Sequence, residues 1–357
     1  EPDNPPAFSL SKLVAVEHPV LDGVIDESPT DKMYATRFNR SKHWLLSEHV
    51  TKNDAALIPG TGFIELLRAS FAHSQASMLT RGIVELSDVQ FLSAFQVKVA
   101  EEKLLQIHLE GDAQETSLTI FSESDELPHV TGLAKLISEP QLPVIDLGAI
   151  ADRCLDKAST QGRFMDQSFM AFGPRWACID EIKYGQNEAL VTLSLSDEFL
   201  SDLDDYKIHP AMLDMATGCA QFLMQNFATE EDFYVPVAYQ KVRFFGDMPA
   251  SFVSYIKLVD DTIPGFVRFD ICLIDQSGQI FLEILGFSMK QVDIELIVSQ
   301  ADAVSPSEAS VISSAQNGQS SQLEEILHEA ILPAEGVAAF ESVMSQDTDV
   351  MQWLVSS

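Results

Sequence analysis

The order of hydrophobic and polar positions along the chain predicts two apolar helices and several strands. Apolar residues recur with a period near 3.6 residues after Pro59 and after Pro210, and the second pattern extends to Met224. Because proline fits the first turn of a helix, we expect each helix to begin at its proline. Runs that predict strands occupy residues 88–92, 104–110, 117–122, 241–245, 252–259, 267–274 and 280–285. Each half of the chain thus has one helix followed by antiparallel strands, which suggests a curved sheet around a buried helix.

The two halves repeat one another at a nearly constant spacing. The prolines that start the helices lie 151 residues apart, and the strand-like segments around Val89 and Val242 lie 153 residues apart. Two separate features at nearly the same spacing favour a duplicated unit. We expect a first unit at residues 1–141, a bridging linker at 142–166, a second unit at 167–295, and a flexible linker with a terminal segment at 296–357.

Composition limits the partners that the chain can bind. Its 46% hydrophobic content is that of a folded protein, and 54 acidic residues against 22 basic ones give a net charge of −32. A field of this sign repels phosphates, so nucleic acids and anionic membrane surfaces are not expected as partners. The four cysteines show no metal-binding spacing, and no apolar run reaches the roughly 18 residues of a membrane span. We expect free thiols and a cytoplasmic location.

Two residues near the helix starts are candidates for acid–base chemistry. His49 lies ten residues before Pro59, and Asp214 lies four residues after Pro210 in an otherwise apolar helix. A neutral imidazole can take a proton from carbon beside a carbonyl, and a carboxylic acid kept protonated by apolar surroundings can protonate a departing hydroxyl. The first-turn amides at Gly60 and Thr61 can stabilise a thioester oxygen. The alternatives are a structural histidine, a carboxylate that interacts with the helix dipole, and an ordinary helix entry.

Five short motifs occur in order along most of the chain. They are HVTKNDAALIPG from His49 to Gly60, FGPRW from Phe172 to Trp176, HPAMLD from His209 to Asp214, VPVAYQKVRF from Val235 to Phe244, and GFSMKQV from Gly286 to Val292, all preceded by HPVLDG at His18. In this order they resemble the dehydratase domains of modular polyketide synthases.

The resemblance implies an α+β fold of the double hotdog type, in which two fused units each wrap an antiparallel sheet around a central helix. It implies that His49 is the base and Asp214 the acid in the dehydration of a 3-hydroxyacyl thioester to an enoyl thioester. The substrate-binding positions that it implies are Pro59, Gly60, Thr61, Phe172, Gly173, Pro174, Gly218 and Gln221.

The resemblance also implies which partners the chain has. No metal, nucleotide or flavin cofactor is expected, because the substrate is carried on the phosphopantetheine of an acyl carrier protein. Neighbouring polyketide synthase domains are the other expected partners. The oligomeric state is open, with a homodimer as one expectation.

Three departures from the family pattern keep other functions open. Asn53 stands where a glycine is usual and is followed by one extra residue before the proline, Phe172 replaces a tyrosine, and Gly218 replaces a glutamine or histidine, with Gln221 as a candidate substitute. These changes are compatible with a double-bond isomerase, with closure of an oxygen ring after dehydration, or with a non-catalytic acyl-binding scaffold. A hotdog thioesterase is a weaker alternative, because that chemistry does not need the paired histidine.

Overall fold

The computed structural model describes residues 13–28, 30–79, 82–123, 127–158, 170–224, 234–260 and 262–292. All of these lie in one compact unit, Glu1–Ala303, and the second unit, Val304–Ser357, lies outside the described residues. The predicted flexible linker and terminal segment at 296–357 therefore stay a prediction. The exact boundaries of the two predicted hotdog units stay a prediction as well.

The first half contains one long helix and a series of strands. Its elements are β1 (Val14–Ala15), β2 (Gly23–Ser28), β3 (Asp31–Asn39), α1 (Trp44–Ser47), β4 (His49–Thr51), β5 (Ala56–Leu57), α2 (Gly60–Ser74), β6 (Ile83–Phe91), β7 (Gln96–Val97), β8 (Glu102–Gly111), β9 (Thr116–Ser122) and β10 (Val130–Ile137).

The second half has a shorter central helix and equally long strands. Its elements are α3 (Leu147–Ala151), β11 (Asp156–Ala158), β12 (Met170–Phe172), β13 (Ile179–Tyr184), β14 (Glu188–Ser194), α4 (Asp202–Asp205), α5 (Pro210–Gly218), β15 (Tyr234–Phe244), β16 (Ser251–Asp260), β17 (Phe266–Ile274) and β18 (Ile280–Gln291). Single 3₁₀ turns occupy Pro174–Trp176 and Asp197–Phe199, and a longer one occupies Cys219–Leu223.

The described strands form one large antiparallel sheet and one small one. The large sheet has the order β1-β2-β3-β8-β9-β10-β6-β15-β18-β17-β16-β14-β13-β11. Read outward from the β6–β15 junction, the two sides place corresponding strands in the same sequence, which is the topology of a duplicated unit. The small sheet has the order β12-β4-β5-β7 and joins a strand of the second half to strands of the first. The α+β fold with two helix-in-sheet units is therefore as predicted.

The two central helices are buried on most of their faces and meet at their amino-terminal ends. Most of α2 between Thr61 and Phe71 is buried, as are the residues of α5 on either side of Asp214. The Thr61 hydroxyl donates to the carbonyl of Pro210 over 2.9 Å, which ties the first turn of α2 to the first turn of α5. The Ser254 hydroxyl on β16 donates to the Ala216 carbonyl and holds α5 against its sheet. Both helix starts, and hence both predicted chemical groups, are thereby brought to one region.

The second helix is shorter than the apolar pattern predicts. The α-helical part ends at Gly218, and a 3₁₀ turn continues to Leu223, so the prediction of one helix through Met224 is wrong in this detail. Gly218 has a low helix propensity. In addition, the Thr217 hydroxyl donates to the backbone carbonyl of Leu213, and bonds of this kind slightly destabilise a helix.

The segment predicted to bridge the halves contains regular structure. It includes α3 and β11, and β11 pairs with β13 at the end of the large sheet. Ile150 and Cys154 pack with Tyr255 and Ile274 in a small second core, so this segment associates with the second half. Cys154, Cys178, Cys219 and Cys272 are all free thiols. No helix in the described ranges is both long and apolar enough to cross a bilayer.

Candidate active site

A cavity of about 450 Å³ lies between the two halves and is lined mainly by apolar side chains. This volume is typical of a site for a small ligand. Of the predicted site residues, those that line it are His49, Pro59, Gly60, Phe172, Asp214, Gly218 and Gln221. The first half contributes the histidine and the start of α2, and the second contributes the aspartate.

His49 is held in a defined tautomer by the backbone. It begins β4, and its Nδ1 lies 2.8 Å from the carbonyl oxygen of Leu57. Because a carbonyl only accepts hydrogen bonds, Nδ1 carries the proton and the neutral ring keeps an unprotonated Nε2. Burial lowers the pKa of His49 below its usual 6.5, and the nearby Asp214 carboxylate and the Leu57 carbonyl only partly offset this. The ring can therefore act as a neutral base.

Asp214 is shifted in the opposite direction by the same physical effect. It lies in the first half of α5 between Leu213 and Met215, which are buried. Burial raises the pKa of the Asp214 carboxyl above its usual 3.8, and the effects of His49 and of a hydrogen bond from Trp176 oppose the shift without cancelling it. A carboxyl of this kind favours the protonated form and can serve as an acid.

The site therefore brings together a candidate base and a candidate acid that come from different halves of the chain. His49 and Asp214 line the same cavity, and each affects the pKa of the other. Titratable groups whose pKa values are shifted by burial in this way are typical of acid–base sites. The arrangement can remove a proton from one atom of a ligand and deliver a proton to another.

Two aromatic rings, Phe172 and Trp176, pack beside His49. The His49 ring stacks on Trp176 with centroids 5.6 Å apart, and Phe172 stacks on Trp176 with centroids 6.1 Å apart. Phe172 on β12 is also the direct strand partner of His49 on β4. A tyrosine at position 172 would offer a hydroxyl, whereas Phe172 contributes only an apolar surface to the cavity.

The unusual loop after His49 is absorbed by a tight turn. Thr51 and Ala55 are joined by two hydrogen bonds, from Thr51 N–H to the Ala55 carbonyl over 2.8 Å and from Ala55 N–H to the Thr51 hydroxyl over 3.1 Å. Asp54 takes a left-handed conformation with φ of 64°, and Asn53 is exposed. The extra residue and the missing glycine are thus accommodated in the turn, away from the His49 ring.

A charged network supports the site from behind. The Arg175 Nε donates to Asp202 over 2.6 Å, its Nη1 donates to Glu48, and its backbone N–H also donates to Glu48 over 2.9 Å. The guanidinium lies over the Trp44 ring at 4.7 Å. Since Glu48 precedes His49 in the chain, this network fixes the 3₁₀ turn of the second half against the base-bearing strand of the first.

The helix that carries the acid is capped within the same network. The Nδ1 of His209 accepts the Met212 N–H at 3.4 Å, so its Nε2 carries the proton and faces Asp202, also at 3.4 Å. The His209 ring stacks on Trp44 with centroids 5.1 Å apart and an angle of 15°. His209 thus satisfies one of the free amides at the start of α5 and fixes the direction of the helix.

Three residues predicted to bind substrate do not line the cavity. The Thr61 side chain is turned toward the carbonyl of Pro210. Gly173 packs so closely on Glu48 that a Cβ at this position would overlap the Glu48 side chain. Pro174 begins the 3₁₀ turn that leads to Trp176. Their positions indicate that they shape the neighbouring backbone.

Other lining residues were not among the predicted site residues. They include Leu57, Phe63, Phe91, Ser93, Met170, Tyr234, Val235, Pro236 and Met289. Trp176 was likewise not predicted, although its Nε1 donates to the Oδ2 of Asp214 over 2.9 Å. The available signal was chemical: an indole N–H that becomes buried normally finds an acceptor. Among the described residues, no group of three or more His, Cys, Asp or Glu side chains is placed to hold a metal ion.

The sequence matches two family models over most of its length. One, described as a polyketide synthase dehydratase domain, covers residues 18–123, and the other, described as a polyketide synthase dehydratase N-terminal domain, covers residues 147–295. Similar curated proteins include the polyketide synthases PksN and PksM of Bacillus subtilis. PksN is 23% identical over 295 residues, and PksM is 24% identical over 312 residues. The matches cover 78% and 81% of this chain but only 5% and 7% of those proteins.

Solved dehydratase domains have the same fold. The domain from the CurF module of the curacin polyketide synthase aligns with a TM-score of 0.70 at 20% identity, covering 78% of this chain and 100% of that domain. A trans-AT dehydratase domain from Brevibacillus brevis aligns with a TM-score of 0.69 at 21% identity, again covering 78% and 100%. These similarities confirm the predicted double hotdog fold.

Proposed function

The chain belongs to the dehydratase family of polyketide synthases, and on that premise we propose that it converts a 3-hydroxyacyl thioester to an enoyl thioester. In this proposal His49 is the base and Asp214 is the acid. The observation that supports it best is that the two residues line one cavity with their pKa values moved in opposite directions by burial. The imidazole is thereby favoured as neutral and the carboxyl as protonated, which is the state that dehydration requires.

The proposed reaction uses each group once. Nε2 of His49 takes the proton from the carbon beside the thioester carbonyl, and the electrons of that C–H bond form the new C=C bond. The C–O bond to the hydroxyl breaks, and Asp214 supplies the proton that turns the departing hydroxide into water. His49 ends protonated and Asp214 ends ionised, so a net transfer of one proton back to the acid restores the site.

The start of α2 is suited to the charge that develops on the thioester oxygen. Pro59 and Gly60 line the cavity, and the first amides of a helix have no partner within it. These N–H groups and the helix dipole favour an oxygen that gains negative charge as the proton leaves. We therefore place the thioester carbonyl at Gly60 and the hydroxyl at Asp214.

A related enzyme depends on the same two types of residue. The CurK dehydratase is inactive when one histidine is replaced by phenylalanine or one aspartate by asparagine. His49 and Asp214 would supply that pair here. The substrate would arrive on the phosphopantetheine of an acyl carrier protein, with neighbouring synthase domains and a second copy of the chain as further proposed partners.

Replacing either residue tests the proposal directly. We expect His49→Ala and Asp214→Asn each to lower kcat about 100- to 10,000-fold, because each removes one general acid or base. The assay supplies a 3-hydroxyacyl pantetheine thioester and follows water loss by mass spectrometry. Circular dichroism checks that the variants remain folded.

The chain offers a matched control on its surface. His108 and Asp31 form an accessible pair, 2.9 Å apart, on β8 and β3. His108→Ala and Asp31→Asn change the same residue types without touching the cavity, so they should leave turnover unchanged. Near-normal turnover in His49→Ala or Asp214→Asn would contradict the assignment.

A second function is favoured by two side chains that are missing from the cavity. Phe172 has no hydroxyl and Gly218 has no side chain, so neither position offers the cavity a polar side chain. A double-bond isomerase needs His49 to move protons but does not need the acid to expel water. In that case the substrate mass stays constant while the alkene protons move, and Asp214→Asn spares the activity that His49→Ala abolishes.

A further inference from the structure

We propose that Trp176 is a positioning residue for Asp214, and that its indole N–H selects which carboxyl oxygen delivers the proton. The inference deepens the proposed function and rests on the role given there to Asp214. The position one helical turn after Asp214 is Gly218, which has no side chain to donate a hydrogen bond. In the described part of the chain, the side chain that bonds the carboxyl is Trp176, from outside the helix.

The hydrogen bond distinguishes the two oxygens of the acid. Nε1 of Trp176 lies 2.9 Å from Oδ2 of Asp214, and an indole N–H only donates. Oδ2 therefore serves as the acceptor, and the proton that Asp214 can transfer belongs on Oδ1. When the proton leaves, the same bond becomes charge-assisted and stabilises the carboxylate that forms.

The same indole also contacts the base. Its plane lies 26° from that of the His49 ring, with centroids 5.6 Å apart. A cation that lies over the face of a tryptophan is stabilised by the ring quadrupole. Proton removal by His49 creates such a cation. The face of Trp176 therefore stabilises the His49 imidazolium, and its N–H edge stabilises the Asp214 carboxylate.

Trp176 cannot easily turn away from these two contacts. Its side chain is completely buried, and Trp44 packs against it edge to face at 5.8 Å. The preceding residue, Arg175, is bonded to Glu48 and Asp202 on either side. The donor is therefore fixed in space before a substrate arrives, which is the condition for effective positioning.

Few other groups can titrate near the acid. Asp214 contributes to raising the pKa of three described side chains, those of Cys178, Cys219 and Tyr239. Burial raises the pKa of both thiols and of the Tyr239 phenol, so these three stay neutral while Asp214 ionises. A change in the alkaline limb of the pH profile therefore reports on Asp214 and its hydrogen bond.

The test removes the N–H and keeps the ring. Trp176→Phe retains an aromatic face for His49 but has no donor for Oδ2. We expect kcat to fall about 10- to 100-fold with little change in KM, since a hydrogen bond to a charged group is lost. The pKa of Asp214 should rise further without its donor, which moves the alkaline limb of kcat to higher pH. Tyr255→Phe is the control, because it keeps the ring, removes a donor to the carboxylate of Glu188 outside the cavity, and should leave that limb in place.

A second hydrogen-bond donor, introduced at another position, distinguishes loss of the hydrogen bond from loss of packing in Trp176→Phe. In the double variant Trp176→Phe with Gly218→Gln, the amide at position 218 lies one helical turn after Asp214 and can donate to its carboxyl. Partial recovery of kcat and return of the alkaline limb would support the proposal. It is overturned if Trp176→Phe keeps wild-type kcat and pH profile, or if kcat falls with no movement of the limb and no recovery.

An NMR titration of the indole N–H resonances tests the hydrogen bond without relying on activity. The chain has three tryptophans, so its indole N–H signals are few, and Trp176→Phe identifies the relevant one. That signal should shift as Asp214 ionises and should lose this titration in Asp214→Asn. A signal insensitive to Asp214 refutes the positioning role. Absence of water loss in the wild-type protein refutes the proposed function instead.

Discussion

Burial moves the pKa values of His49 and Asp214 in opposite directions because it disfavours a charge on either side chain. A buried imidazolium and a buried carboxylate are both destabilised, so the pair favours a neutral base beside a protonated acid. Their mutual attraction favours the ion pair, but in both residues the effect of burial is larger. The apolar cavity wall thus contributes to the chemistry by selecting the protonation state.

The protonation state leads to a bell-shaped pH dependence. In the proposed reaction the active form has a neutral His49 and a protonated Asp214, so activity should be lost when the pH falls far enough to protonate His49 and when it rises far enough to ionise Asp214. Because the pKa of His49 is lowered, we expect the acidic limb of kcat/KM below the usual histidine value of 6.5. Because the pKa of Asp214 is raised, the alkaline limb should lie above the usual aspartate value of 3.8.

Steady-state kinetics over the pH range in which the protein stays folded checks this expectation. The two limbs belong to the pair, since two strongly interacting groups titrate together. An acidic limb above the usual histidine pKa would contradict a base that burial keeps neutral. An alkaline limb that persists unchanged in Asp214→Asn would show that another group is the acid.

At this scale the sequence predicts the residues proposed for the chemistry better than those proposed to orient them. His49 and Asp214 stand out because each is an ionisable group within ten residues of the proline that starts an apolar helix, and both line the cavity. The bond from Trp176 to Asp214 joins residues 38 positions apart. Its presence depends on the path of the 3₁₀ turn, which no local pattern specifies.

The small elements carry more of the site than their lengths suggest. The three-residue strands β4 and β12 pair so that His49 and Phe172 are direct neighbours. The 3₁₀ turn at Pro174–Trp176 then presents Trp176 to α5. Arg175 joins these parts, because its hydrogen bonds reach Glu48 beside β4 and Asp202 at the start of α4. The position of the Arg175 side chain should therefore affect kcat, although Arg175 does not line the cavity.

Exchange of Arg175 for lysine tests this link. Lysine keeps the positive charge but lacks the planar fork that binds two carboxylates at once. We expect Arg175→Lys to lower kcat about 10- to 100-fold, since a small displacement of the 3₁₀ turn moves Trp176 relative to both His49 and Asp214. The KM should change less, because Arg175 does not contact the cavity.

The matched control is Arg153, an arginine that binds one carboxylate through two of its nitrogens. Arg153 donates to Glu188 over 2.8 and 3.0 Å on the surface, away from the cavity. Arg153→Lys should leave kcat unchanged. Equal kcat values for Arg175→Lys and the wild type would show that the network does not position the catalytic pair.

Long strands in which apolar and polar residues alternate are the easiest to predict from the sequence. The predicted runs at 104–110, 117–122 and 267–274 lie within β8, β9 and β17. The hydrophobic pattern predicts neither β10 nor β13, because Gly132 interrupts β10 and charged residues make up half of β13. Strands of two or three residues have too few positions to show a period, yet they form the small sheet that carries His49.

The two halves are joined through backbone pairing and side chains at one strand junction. Strand β6 of the first half pairs with β15 of the second, and Glu85 lies directly opposite Arg243. The Nε of Arg243 donates to Glu85 over 2.7 Å, and its Nη1 donates to Glu283 over 2.9 Å. The duplication predicts two similar units. Which edge strands meet depends on surfaces that a repeat pattern does not specify.

Glu85 makes this junction sensitive to a change in charge. Its side chain is only 2% exposed, and Lys135 lies 3.2 Å away as a second partner. Burial alone would raise the pKa of Glu85, but hydrogen bonds from Arg243 and Lys135 outweigh it and hold the pKa below its usual 4.5. A carboxylate whose folded pKa is depressed stabilises the protein above its unfolded pKa, and this contribution is lost as the pH falls through the folded value.

Replacing Arg243 by methionine should therefore destabilise both halves together. Methionine keeps much of the apolar stem but removes one of the two side chains that form ion pairs with Glu85, and we expect the free energy of unfolding to fall by about 1–3 kcal/mol at neutral pH. The core residues form one continuous cluster across α2 and α5, so unfolding should remain a single transition. Below pH 4.5 the difference from the wild type should shrink, because Glu85 becomes protonated in the unfolded chain and then in the folded one.

Chemical denaturation at several pH values measures the free energy of unfolding of Arg243→Met. The control is Arg268→Met, which removes an ordinary surface ion pair. Arg268 lies 3.3 Å from Asp260, but the two side chains are 47% and 33% exposed and lie within the second half. An exposed pair of this kind contributes little, so Arg268→Met should leave the free energy of unfolding nearly unchanged. Two separate transitions in Arg243→Met would show that the halves fold independently. A loss that does not depend on pH would show that the stem of Arg243, and not its charge, stabilises the junction.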